Sequence, residues 1–73
     1  MMYDLTSEQW SKLSKTEKKI VVLVKKYKIV EEEKRRLLLG WPLEPMSRRT
    51  YQNHWNRLVK KIAQFRAERE RGT

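Results

Sequence analysis

Apolar residues recur along this chain at three- and four-residue steps, and short polar clusters with the look of helix starts separate them. Thr6-Ser7-Glu8-Gln9 has the spacing of a capping box, in which the Thr6 hydroxyl and the Gln9 amide satisfy free backbone groups of a first turn. A short helix to about Leu13 is expected. Ser14-Lys15-Thr16-Glu17 repeats the signal at once and opens a longer helix to about Lys28. Within it Ile20, Leu23, Val24 and Tyr27 make one stripe at helical spacing, the side expected to be buried. Lys18, Lys19, Lys25, Lys26 and Lys28 fall outside that stripe.

Glu31-Glu32-Glu33 followed by Lys34-Arg35-Arg36 puts acid before base, the order a helix macrodipole favours. Leu37-Leu38-Leu39 then leads to Gly40, which reads as a C′ residue free to take positive φ. Trp41 to Met46 contains Pro42 and Pro45, which remove backbone donors and clash with a preceding turn, so it is a loop. Ser47 caps a last helix. Tyr51, Trp55, Leu58, Ile62 and Phe65 step by 4, 3, 4 and 3, the cleanest periodicity in the chain. The pattern predicts helix to about Phe65 or beyond and a frayed charged tail over residues 67–73. The expected fold is all-α: a small three- or four-helix bundle with a helix-turn-helix-like layout. Residues 1–73 are expected to form a single domain, with the helical core over about 6–66.

Charge changes the picture from fold to partner. Eighteen Lys and Arg oppose nine Asp and Glu, a net +9 on 73 residues. Residues 12–28 and residues 47–73 each carry a net +6, so two helices hold the excess. A polyanionic partner is the expectation, with counterion release from an RNA or DNA backbone as the driving force.

The same composition argues against catalysis. There is no cysteine, His54 is the only histidine and Asp4 the only aspartate. Glu31, Glu32 and Glu33 are adjacent and point in different directions around a helix, so they make no facing acid/base pair. Gly40 and Gly72 are the only glycines, which leaves no phosphate-cradling loop. The expectation is a protein that is not an enzyme, with no cofactor and no metal site. The longest apolar run, Ile20–Val24, is far short of the roughly 20 residues that span a bilayer. The first residues lack a basic region and a long apolar stretch, so no secretory signal and no membrane partner are expected.

On the last helix, the face opposite the apolar seam holds Arg49, Asn53, Asn56 and Lys60, with Gln52 and Arg57 at its edges. Arg, Asn and Gln carry the paired donors and acceptors that match base edges in a major groove, although they also suit an ordinary solvated face. Tyr51, Trp55 and Phe65 lie on the seam and read as core rather than as stacking platforms. Apolar residues where no regular element buries them are candidates for protein docking: Tyr3 and Leu5 near the start, Trp41 and Leu43 in the proline loop.

Two resemblances add to this. Ser47-Arg48-Arg49-Thr50-Tyr51-Gln52-Asn53-His54 resembles the start of the recognition helix in LuxR-type helix-turn-helix domains, and Leu58-Val59-Lys60-Lys61-Ile62 resembles its close. Leu13-Ser14-Lys15-Thr16-Glu17-Lys18-Lys19-Ile20 is similar to the opening of those domains and to region four of bacterial sigma factors. The likeness spans roughly residues 13–63. It implies nucleic-acid contacts by Arg48, Arg49, Gln52, Asn53 and Arg57, to which the basic Lys60 and Lys61 are added. The loop from Gly40 to Met46 is longer than the three or four residues of the usual turn.

In length, basicity and overall sequence the chain also resembles the small RNA-polymerase-binding regulators of lytic Xanthomonas phages. That resemblance implies binding to host bacterial RNA polymerase near the N-terminus of the β′ subunit, with the β flap a candidate second contact. It further implies inhibition of initiation by sigma displacement, antitermination during elongation, and action in the host cytoplasm. No dimer seam stands out, so a monomer is expected.

Overall fold

The computed structural model describes residues 5–71. It contains four helices and no strand among those residues: α1 (Ser7–Ser11), α2 (Lys15–Lys25), α3 (Glu32–Gly40) and α4 (Arg48–Arg71). The molecule is the small all-α bundle that the periodicity predicts. Both capping boxes form. Gln9 N–H donates to Thr6 Oγ1 and Thr6 N–H returns to Gln9 Oε1, each at 3.1 Å. At the second, Glu17 N–H donates to Ser14 Oγ (3.2 Å) and Ser14 N–H to Glu17 Oε1 (2.7 Å).

Leu13, Ile20, Val21, Tyr51, Leu58, Ile62 and Phe65 make the buried core. Four of these seven lie on the α4 seam, and each large aliphatic among them stabilises the fold by about 1.5–3 kcal/mol. Helix α2 packs against both α3 and α4. At 24 residues, α4 spans about 36 Å at 1.5 Å per residue and sets the long dimension of a 44 × 22 × 19 Å molecule.

Several boundaries differ from the sequence expectation. Helix α2 stops at Lys25, not Lys28. Tyr27 N–H reaches back to Val22 O (3.3 Å), Ile29 N–H reaches Leu23 O (3.0 Å), and Lys28 sits at φ 58°, which reverses the chain. Tyr27 therefore leaves the stripe and is 57% exposed, while Val21 takes a core place. Gly40 is not a left-handed C′ residue: it is the last residue of α3, with no positive φ. Its role is close approach. A Cβ there would sit 3.0 Å from Met46 N and 3.1 Å from Pro45 Cα. Residues 67–71 continue α4 in place of a frayed tail, as suits a run of helix formers joined by a Gln64–Glu68 side-chain hydrogen bond of 3.4 Å.

Candidate nucleic-acid and protein interface

The buried seam fixes which side of α4 meets solvent. Tyr51, Leu58, Ile62 and Phe65 point inward, and Arg48, Arg49, Gln52, Asn53, Asn56, Arg57 and Lys60 are exposed. Arg49, Asn53, Asn56 and Lys60 form one row about 16 Å long, roughly five nucleotide steps of a B-form strand. Residues 45–67 contain no Asp or Glu, so the row has no acid of its own to neutralise it. None of Arg48, Arg49, Arg57 and Lys60 has an ion-pair partner among the described residues.

Two residues of the predicted set are committed elsewhere. Lys61 Nζ lies 2.6 Å from Glu17 Oε1 and also donates to Lys12 O at 3.2 Å. Glu17 is 1% exposed and Lys61 36% exposed at the side chain, so this is a largely buried tie between α2 and α4 and not part of the free basic row. Burial pushes the Glu17 carboxyl up, but Lys61 and the Ser14 amide outweigh it and hold the pKa below its ordinary value. Gln52 Nε2 donates to Asn56 Oδ1 at 3.0 Å, which occupies one side of an amide that bidentate base contact would need.

Of the seam aromatics Tyr51 and Phe65 are core, as expected, whereas Trp55 is half-buried and packs against it. Tyr51 and Trp55 stack with centroids 6.2 Å apart and rings inclined 16°. Arg35 from α3 covers both rings, at 5.7 Å from Tyr51 and 5.3 Å from Trp55, and donates from Nε to Tyr51 Oη (2.7 Å) and from Nη1 to Ile29 O (2.9 Å). Trp55 is thus held by both Tyr51 and Arg35. His54 sits half-buried at the edge of the seam.

The proline loop presents the docking candidates. Trp41 is 70% exposed and Leu43 81% exposed. Beneath them the backbone is braced: Leu43 N–H donates to Gly40 O (2.8 Å), Met46 N–H to Arg36 O (2.9 Å), and Arg36 Nη1 to Met46 O (3.3 Å). Met46 packs on the core. An aromatic and an aliphatic side chain thus project from a fixed platform, the condition under which a contact loses little ordering entropy on binding. Leu5 is placed differently. It stands at N′ of α1 and Trp10 at N4, the positions of a hydrophobic staple, and both pack on the core beside Val21. That removes Leu5 from the free apolar surface. Tyr3 lies outside the described residues.

Sequence reasoning missed Glu17, whose capping-box spacing gave no sign of a buried partner 44 residues away. It also missed an apolar groove between α2 and α3. The Leu37-Leu38-Leu39 run held the signal, because three consecutive helical side chains cannot all face one core. Among the described residues no helix is long and apolar enough to cross a membrane, and no three His, Cys, Asp or Glu side chains gather. No protein-family model matches the chain, and neither a curated protein nor a solved structure does.

Proposed function

We propose that this chain is a non-enzymatic transcription regulator, phage-encoded and active in the host bacterial cytoplasm. In this reading it docks as a monomer on host RNA polymerase near the β′ N-terminus and the RNA exit channel, inhibiting initiation by sigma displacement and promoting antitermination. The observation that supports it best is the pairing of two surfaces on one rigid bundle. Trp41 and Leu43 project from a braced loop, and an acid-free basic row runs along the adjoining helix α4. An exposed Trp on a fixed backbone is a typical interface anchor, and unpaired Arg and Lys suit the nucleic-acid backbone that lines a polymerase channel.

The test is co-migration with nuclease-treated bacterial core RNA polymerase at about 0.3 M salt, where the Debye length falls below 8 Å and charge alone does not hold a complex. Retention at one-to-one stoichiometry, lost in Trp41→Ala, is the expected result. No retention at that salt refutes the reading.

A second reading rests on the exposed row itself: a helix-turn-helix-like DNA binder whose α4 enters the major groove. Asn53 carries it, because it is exposed at the row's centre and its amide has no hydrogen-bond partner among the described residues. Equal affinity for every duplex sequence would refute it.

A further inference from the structure

Helix α2 presents a second face that neither the core nor the basic row of α4 uses. Between α2 and α3 lies an open groove of about 360 Å³, lined by Val22, Leu23, Leu38 and Leu39 and rimmed by Lys15, Lys18 and Lys19. Leu38 is exposed, although it belongs to a helix with an otherwise well-packed neighbour, Leu39. The rim charge has no acidic counterpart among the described residues, and only Lys18 has another contact there, its Nζ 6.0 Å from the Trp10 ring centroid. None of the three lysines has an acidic partner among the described residues, and Glu17, the one acid on α2, is turned inward to Lys61.

We infer that this groove is a docking site for an acidic amphipathic helix of a partner protein, seated with its aliphatic residues on Val22, Leu23, Leu38 and Leu39 and its carboxylates toward Lys15, Lys18 and Lys19. The shape is that of two helices offering the valley between them to a third, the usual helix-in-groove mode of recognition. Charge complementarity selects the occupant. A neutral or basic helix would leave the rim ammonium groups without carboxylate partners at the edge of a dry contact, which opposes binding. A nucleic acid would satisfy the lysines but gains nothing from a floor of aliphatic side chains without a ring or a hydrogen-bonding group. The lysines stand at the start of α2 and the leucines at the end of α3, while Glu32 and Glu33 open α3 at its far end. Glu33, the nearer of the two, therefore stands about 7.5 Å along the axis before Leu38, whereas the lysines line the groove itself and lie nearer the partner's carboxylates.

This site is distinct from Trp41 and Leu43, and its test does not involve polymerase, so either idea can fail while the other stands. The probe is a fluorescein-labelled designed helical peptide with leucines at i, i+4 and i+7 flanked by glutamates. The control peptide has glutamine at every glutamate. Saturable anisotropy is expected for the acidic peptide, with amide shifts in two-dimensional NMR centred on Val22, Leu23, Leu38 and Leu39. Lys15→Glu with Lys19→Glu should weaken binding by roughly tenfold, since like-charge juxtaposition replaces attraction at the rim. Arg57→Glu with Lys60→Glu, an equal change in net charge on the exposed side of α4, should change affinity less than about twofold. Leu38→Gln should weaken binding while keeping native helix content. The inference is overturned if the acidic peptide shows no saturable binding, if the glutamine control or an oligo-dT strand binds the groove as tightly, or if both charge-reversal pairs weaken binding alike.

Discussion

Glu17 and Lys61 give the clearest quantitative prediction. Replacing Lys61 by Met keeps most of the aliphatic stem but leaves the Glu17 carboxylate without its cation. One of its oxygens would keep Ser14 alone as a partner, and the other, Oε2, is already buried without a partner. Removing one member of a fully buried ion pair costs about 3–5 kcal/mol. Lys61 is about a third exposed, so water screens part of the interaction, and about 2 kcal/mol is the scaled expectation at pH 7. For a domain of this size that is a fall in Tm of roughly 8–16 °C. The pH dependence carries the decisive sign. With Lys61 present the folded carboxyl has a lowered pKa, so its stabilisation is complete above about pH 4.5 and is lost as pH falls through the lower folded value. In Lys61→Met burial is opposed by the Ser14 amide and hydroxyl alone, the folded pKa rises relative to the parent, and acid relieves the buried charge. The stability gap between the two proteins should therefore narrow steadily as pH falls from 7 toward 4. Urea unfolding at a series of pH values measures it, with Glu17→Gln and the double variant closing a mutant cycle. In the Glu17→Gln background, Lys61→Met should cost no more than about 0.5 kcal/mol. A gap independent of pH, or an undiminished cost in that background, would show that Lys61 acts through packing and that the ion-pair argument is wrong.

Other consequences are simpler to test. Gly40→Ala should destabilise by about 1–2 kcal/mol in urea unfolding, because the new Cβ meets backbone atoms of Pro45 and Met46; a gain from the better helix former would refute close approach as the role of this glycine. Lys28→Gly should raise stability by about 0.5–1 kcal/mol, since glycine takes φ 58° without the Cβ conflict; a loss in thermal unfolding would count against it. Trp41→Ala should abolish retention on polymerase with circular dichroism unchanged, and lost helix content would mean that Trp41 supports the fold. In duplex binding, Lys60→Ala should reduce the slope of log affinity against log salt by about 1 whatever the sequence, whereas Asn53→Ala should relax sequence preference by about 1–3 kcal/mol; identical behaviour of the two would leave only backbone contact.

What could be read in the sequence divides along the range of the interaction. Both capping boxes were legible because each is closed by residues three apart, and the α4 seam because a periodic stripe is a property of one helix. Glycine shows where that reading stops. Gly40 after a leucine run looks like a left-handed helix end, yet its backbone is right-handed and its missing side chain admits Pro45 and Met46. The left-handed position falls instead on Lys28, where nothing local marks it, because the reversal is made by α2 carbonyls accepting from Tyr27 and Ile29. Charge behaves the same way. Lys60 and Lys61 are neighbours of one type, and composition assigns both to a nucleic-acid face. The turn of the helix alone separates them by about 100°, which leaves Lys60 in solvent and brings Lys61 to a carboxylate 44 residues earlier. A count of basic residues therefore overstates the free positive surface of this bundle, and the surplus that remains falls on two separate faces. The row on α4 lacks any apolar floor and suits a phosphate backbone. The rim on α2 surrounds one and suits an acidic helix, so the two faces differ in the chemistry they offer a partner.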